Sequence, residues 1–118
     1  MRKTFVTIIE HPNYLKRAEK LLTSAQMDEI ANMLAANPNS GDIMQGTGGF
    51  RKLRYAGVEG KGKRGGVRVI HLFVLKNEEV HLVDIYGKGE KDNLTKAERN
   101  ELAKLAAVLK GEKSGRKK

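Results

Sequence analysis

Phe50 to Tyr86 reads FRKLRYAGVEGKGKRGGVRVIHLFVLKNEEVHLVDIY, and three strand-like runs follow one another within it: Phe50 to Ala56, Val67 to Leu75 and Val80 to Tyr86. The first run alternates. Lys52 and Arg54 therefore share a face with Phe50 and Ala56, while Leu53 and Tyr55 share the other. The second run is apolar at both parities, the pattern of a central strand covered on both sides, and Arg68 sits at its start, where a charge still reaches the open. Lys76-Asn77-Glu78 is a short turn into the third run. Links this short make the sheet antiparallel across these strands.

Upstream, Thr4 to Ile9 is a β-rich run that predicts a first strand. Pro12 suits the first turn of a helix, with Tyr14, Ala18 and Leu21 on one face and Lys16, Arg17 and Lys20 pointing elsewhere. Thr23 and Gln26 have capping-box spacing, and Met27, Ile30, Ala31 and Leu34 follow at helical intervals until Asn37-Pro38 ends the pattern. These two helices are expected to form a hairpin on the sheet. Asn39 to Gly49 reads as a loop with few apolar anchors. Downstream of the third run, Lys88 to Asn93 is a polar loop. Thr95 and Glu98 repeat the capping-box spacing, and Leu102, Leu105, Ala106 and Leu109 make a helical stripe that Gly111 stops. The expected order is β-α-α-β-β-β-α: an α+β fold whose antiparallel sheet is packed by an N-terminal helical hairpin and a C-terminal helix. Residues 1–110 are expected to form a single domain, and the basic tail 111–118, without an apolar residue after Gly111, is expected to be disordered.

A chain of 118 residues can bury roughly two-thirds of its unfolded surface as one domain. The absence of cysteine excludes disulfides and thiolate metal sites and fits a reducing compartment. The apolar run Phe5 to Ile9 is too short for a signal peptide or a membrane span, so a soluble cytoplasmic protein is expected. A formal net charge of +9 with a pI near 9.9 fits nucleic acid, an anionic membrane face or an acidic protein, with a merely solvated surface as the alternative; a membrane is disfavoured because no helix combines a basic face with large aromatic anchors. The charge is also concentrated. Between Gly46 and Arg68 stand Arg51, Lys52, Arg54, Lys61, Lys63, Arg64 and Arg68 against the single acid Glu59, an arrangement that repels itself and adds little to a core.

Gly60-Lys61-Gly62-Lys63-Arg64-Gly65 matches the dinucleotide pattern GxGxxG, but a strand follows it where that motif needs a helix. Glycines alone favour a flexible hairpin loop; Lys61, Lys63 and Arg64 shift the reading toward a mobile phosphate clamp. His11, His71 and His81 are isolated in sequence, and although His71 and His81 lie on neighbouring strands and are able to approach, no carboxylate stands at ligand spacing beside them. Half-buried histidines are therefore expected rather than a metal site. Asp84 reads as a salt-bridge partner among cations rather than a catalytic acid. Tyr86-Gly87-Lys88 closes the last strand, where side chains reach a cleft edge from a rigid support; the alternative for Tyr86 is a ring that covers the core with a wet hydroxyl.

Gly48-Gly49-Phe50-Arg51-Lys52-Leu53-Arg54, the Lys-Gly-Lys-Arg-Gly-Gly loop, Arg68-Val69-Ile70 and Tyr86-Gly87-Lys88 together resemble the RelE/HigB toxins of bacterial toxin–antitoxin modules, with the HigB-type branch nearest. The resemblance runs from about Phe5 to Leu109 and rests on order, spacing and charge rather than on one motif. It implies a small α+β toxin that enters the ribosomal A site and cuts bound mRNA without a metal or small-molecule cofactor, and that is neutralised by a cognate antitoxin. Lys52 and Arg54 match the family's basic pair on the strand, and Arg68 matches its arginine on the next. Lys88 falls in the Gly-Lys segment after the last strand. The family's further arginine is replaced here by Gly89, and its tyrosine near the C-terminus is absent around Leu94 and Thr95, leaving Tyr86 as the candidate for stacking or proton transfer. Lys52, Arg54, Arg68, Tyr86 and Lys88 are thus the candidate catalytic residues, with Arg51, Lys61, Lys63 and Arg64 as RNA contacts.

RNA brings its own nucleophile, the 2′-hydroxyl. A protein must deprotonate it, neutralise charge growing on the phosphorane and protonate the leaving 5′-oxygen. Arginine and lysine donors suit the second task, and a lysine crowded by like charges is a candidate for the first. Two other readings stay open: a non-nucleolytic toxin of the gyrase-targeting ParE branch, and a plain RNA- or ribosome-binding module, which low aromatic content (5%) and the lack of a plainly placed base favour.

Overall fold

The computed structural model describes residues 6–56, 66–87, 89–90 and 94–111. The elements are β1 (Thr7–Glu10), α1 (Pro12–Leu21), α2 (Ser24–Ala36), β2 (Asp42–Ile43), β3 (Arg51–Tyr55), β4 (Val67–Val74), β5 (Glu79–Gly87) and α3 (Lys96–Leu109), with a 3-10 turn, Leu75–Asn77, between β4 and β5. They form one sheet in the order β1-β5-β4-β3-β2. The expected α+β architecture is present, and β3, β4 and β5 are antiparallel neighbours.

Two features go beyond the expected order. β1 pairs parallel with β5, Thr7 opposite Glu79 through Glu10 opposite Leu82, which makes the sheet mixed. The α1–α2 hairpin between β1 and the rest of the sheet supplies the crossover that parallel pairing requires. Second, the segment read as the loop Asn39 to Gly49 contains the edge strand β2, paired antiparallel with β3. Two residues are too few for an alternating pattern to register in a sequence.

Both capping boxes form. Thr23 Oγ1 accepts from the Gln26 amide while Gln26 Oε1 accepts from the Thr23 amide, and Thr95 and Glu98 repeat the exchange at α3. Each box satisfies two N–H groups that a helix start leaves open. Pro12 occupies the first turn of α1.

The sheet separates two cores. On one side Tyr14, Ala18, Ile30 and Leu34 of the helical hairpin pack on Leu53, Tyr55, Val67, Val69, Val80, Leu82 and Ile85. On the other, Ala106 and the α3 stripe Leu102, Leu105 and Leu109 cover Phe50, Ile70, Leu72, Val74, Val83 and Tyr86. β4 contributes to both, as a central strand should. Gly48 (φ +81) lets the turn before β3 lie against α3: a Cβ there would stand 2.8 Å from that of Ala106.

β5 changes its facing part-way. The register steps from His71 opposite Leu82 to Ile70 opposite Asp84, leaving Val83 as the extra residue of a β-bulge. Before the step Val80 and Leu82 face the hairpin; after it Ile85 does, and Tyr86 faces α3. Strict alternation from Leu82 would have put Tyr86 on the hairpin side.

β1 covers β5 only as far as Leu82, and α1 closes the remaining edge. Arg17 Nε donates to the Ile85 carbonyl at 2.7 Å and lies 3.1 Å from Asp84 Oδ1, and Glu90 Oε1 accepts from the Gly87 amide at 2.6 Å. Asp84 is therefore the salt-bridge partner that its setting predicts.

Candidate functional site

The strand register gathers the strand cations. Lys52 is opposite Ile70 and Arg54 opposite Arg68 across β3–β4, and Arg68 is opposite Tyr86 across β4–β5. Directly opposed residues share a face, so Arg54, Arg68 and Tyr86 form one row on the α3 side and Lys52 sits diagonally beside Arg68 in the next. Cross-strand neighbours have Cβ atoms about 5 Å apart. The sequence alternation of β3 predicted that Lys52 and Arg54 share a face; the bulge in β5 brings Tyr86 to it.

The row is electrostatically unfavourable by itself. Arg54 and Arg68 are like charges in opposed positions, and Arg68 Nη1 is buried with no hydrogen-bond partner among the described residues. Arg54 is exposed and Lys52 and Arg68 are partly exposed, so the patch lies at the border of solvent although Arg68 Nη1 itself is buried. Cations held side by side on a sheet, with their remaining donors toward solvent, suit an oxyanion supplied from outside.

Beside the row runs a groove of about 450 Å³, lined by the β2 segment (Asp42, Ile43, Met44), Lys52 and Tyr86 of the sheet, and Leu94 and Arg99 at the start of α3. Tyr86 belongs to both the row and the groove, and Lys52, beside the row, also lines the groove. Tyr86 is 2% exposed, so its ring is a core element that borders the groove; the ring covers the core as the alternative reading has it, without the solvent-facing hydroxyl that reading includes. Arg99 was not apparent in the sequence. It lies in the polar half of a capped helix, and only the fold turns it toward the sheet, where its Nη1 donates to the Leu94 carbonyl at 2.7 Å. Asp42 was missed with β2.

Arg51 goes elsewhere. It is the register partner of His71, on the hairpin side of the sheet, and its Nη1 donates to the Gly41 carbonyl at 2.9 Å. His71 Nε2 donates to the Ser40 carbonyl, also at 2.9 Å, so these two side chains brace the turn that delivers β2. Burial pushes the His71 imidazole down to about 4, against the pull of the Ser40 carbonyl and with help from the Arg51 charge. Its Nδ1 is buried without a partner among the described residues.

His71 and His81 do not approach each other, because they occupy opposite faces. His81 instead meets His11, Nδ1 to Nε2 at 2.9 Å, and its Nε2 lies 3.2 Å from Glu79 Oε1. Burial, then the neighbouring His81, holds His11 below the usual imidazole range. Among the described residues no group of three or more metal-ligating side chains is present. Lys61, Lys63, Arg64 and Lys88 lie outside the described residues, as does the tail beyond Gly111. No described helix is long and apolar enough to cross a membrane.

No protein-family model matches the chain. Among solved structures it is similar to the E. coli toxin RelE, a double arginine-to-alanine mutant in the free state, with a TM-score of 0.56 and 16% sequence identity over 86% of this chain and 97% of that one. The fold is the RelE fold, three helices on a five-stranded mixed sheet.

Proposed function

We propose that this chain is the toxin of a toxin–antitoxin module and acts as a ribosome-dependent mRNA endoribonuclease. The observation that carries the reading is the row Arg54–Arg68–Tyr86 with Lys52 beside it: cations from two strands aimed at one patch, at the cost of mutual repulsion and a buried unpaired donor. The RelE fold supports it, since the similar structure is that of a toxin.

Lys52, Arg54 and Arg68 would hold the scissile phosphate and stabilise the pentacoordinate phosphorane, each donor contributing roughly 10²–10³ in rate. Lys61, Lys63, Arg64 and Lys88 extend the phosphate contacts on the strength of the sequence. Tyr86 positions the groove wall from the core. The nucleophile is the RNA's own 2′-hydroxyl, so DNA is inert, and the ribosome supplies the in-line geometry that a shallow, open site does not. A cognate antitoxin neutralises the cationic face.

The test is induction of the protein with transcript-wide mapping of new 5′ ends, alongside Arg68→Ala. New ends within translated mRNA that vanish in the variant are expected. DNA damage without new RNA ends would overturn the reading in favour of a gyrase poison.

A further inference from the structure

The groove beside the cation row contains one described acid, and an acid is misplaced in a surface built to receive phosphate. Asp42 is the register partner of Lys52, and both residues line the groove with Tyr86 and Arg99. The chain is brought there by close backbone approach: Gly41 has φ +95, and a Cβ on it would stand 2.6 Å from the Lys52 carbonyl oxygen. Arg51 and His71 hold the carbonyls of Gly41 and Ser40 from the other face of the sheet. A two-residue edge strand thus has a glycine and two buried or half-buried side chains devoted to its placement. As mere charge compensation Asp42 would weaken RNA binding by repelling the phosphodiester. A carboxylate does, however, perform the one step that arginines and protonated lysines cannot, which is to accept a proton.

We propose that Asp42 is the general base of the RNA cleavage assigned to this face, an inference that rests on the nuclease reading above. The Asp42 carboxylate takes the proton of the 2′-hydroxyl. The 2′-oxygen forms a bond to the adjacent phosphorus, and the phosphorus–O5′ bond breaks with its electron pair leaving on O5′. The Lys52 ammonium gives that oxygen a proton. The products are a 2′,3′-cyclic phosphate and a 5′-hydroxyl end, and proton exchange with water restores both side chains. Arg54 and Arg68 then have a single task, to hold the phosphorane.

The experiment is single-turnover cleavage of mRNA on purified ribosomes by the wild type, Asp42→Asn and Asp42→Glu, with ribosome binding measured by co-sedimentation. Asp42→Asn should lose about 10²–10⁴ in rate while binding as well as or better than the wild type. Its residual rate should climb about tenfold per pH unit as hydroxide replaces the missing base, and Asp42→Glu should recover part of the activity. An Asp42→Asn rate within about threefold of wild type, or one lowered by the same factor at every pH, overturns the assignment. A wild type that binds ribosomes but cuts nothing overturns the nuclease reading itself, and this inference with it.

Discussion

Arg54 and Arg68 are directly opposed across β3 and β4, two like charges on one side of the sheet, and the buried Arg68 Nη1 meets no acceptor among the described residues. Opposed like charges destabilise a sheet, and a buried donor without an acceptor adds to that. Arg68→Ala should therefore leave the melting temperature unchanged or raise it, while lowering mRNA cleavage by about 10²–10³. A variant that is less stable and still fully toxic would show that Arg68 serves the fold.

Lys52→Ala with Arg54→Ala removes two cations of the same patch without touching either core, since both side chains lie at the solvent border. Growth arrest should be abolished, with circular dichroism and thermal unfolding close to those of the wild type.

Acid should destabilise the protein through His71. The unfolded side chain titrates near 6.5 and the folded one at about 4, so the unfolded chain takes up the proton first and stability falls as pH drops through that window. Urea unfolding should give a stability lower by about 2 kcal/mol at pH 5 than at pH 7. His71→Gln should remove most of that difference. His11, lowered in the same direction, leaves a smaller residual slope.

The two capping boxes separate stability from activity. Thr23→Ala and Thr95→Ala each remove an N-cap acceptor and should each cost about 1 kcal/mol. Thr95 caps the helix whose first turn carries Arg99 to the groove, just after Leu94, so its loss should also lower cleavage; Thr23, on the opposite side of the sheet, should leave cleavage per folded molecule unchanged. Equal loss of activity in both would place the effect in global stability.

Arg17→Met keeps an apolar stem but removes the donor to the Ile85 carbonyl and the partner of Asp84. Leaving an edge carbonyl and a carboxylate without that partner should cost roughly 1–3 kcal/mol in urea unfolding, and hydrogen exchange should rise first in the second half of β5.

The sequence by itself determined the elements with strong local signals. The capping boxes at Thr23 and Thr95, Pro12 at a helix start and the alternation of Phe50 to Ala56 are all interactions among residues a few positions apart, so they are legible without a fold. The same holds for Lys52 and Arg54 on one face. The tertiary structure decided the rest. β1 joined β5 in parallel because the helical hairpin carries the chain across the sheet; β2 formed because Gly41, Arg51 and His71 hold it against Lys52. The bulge at Val83 turned Tyr86 to the side of Arg68, and α3 brought Arg99 to the groove. A shift of one residue reverses every side chain that follows it, and no property of Val83 announces that shift. It is settled by which register buries Ile85 under one layer of helix and Tyr86 under the other.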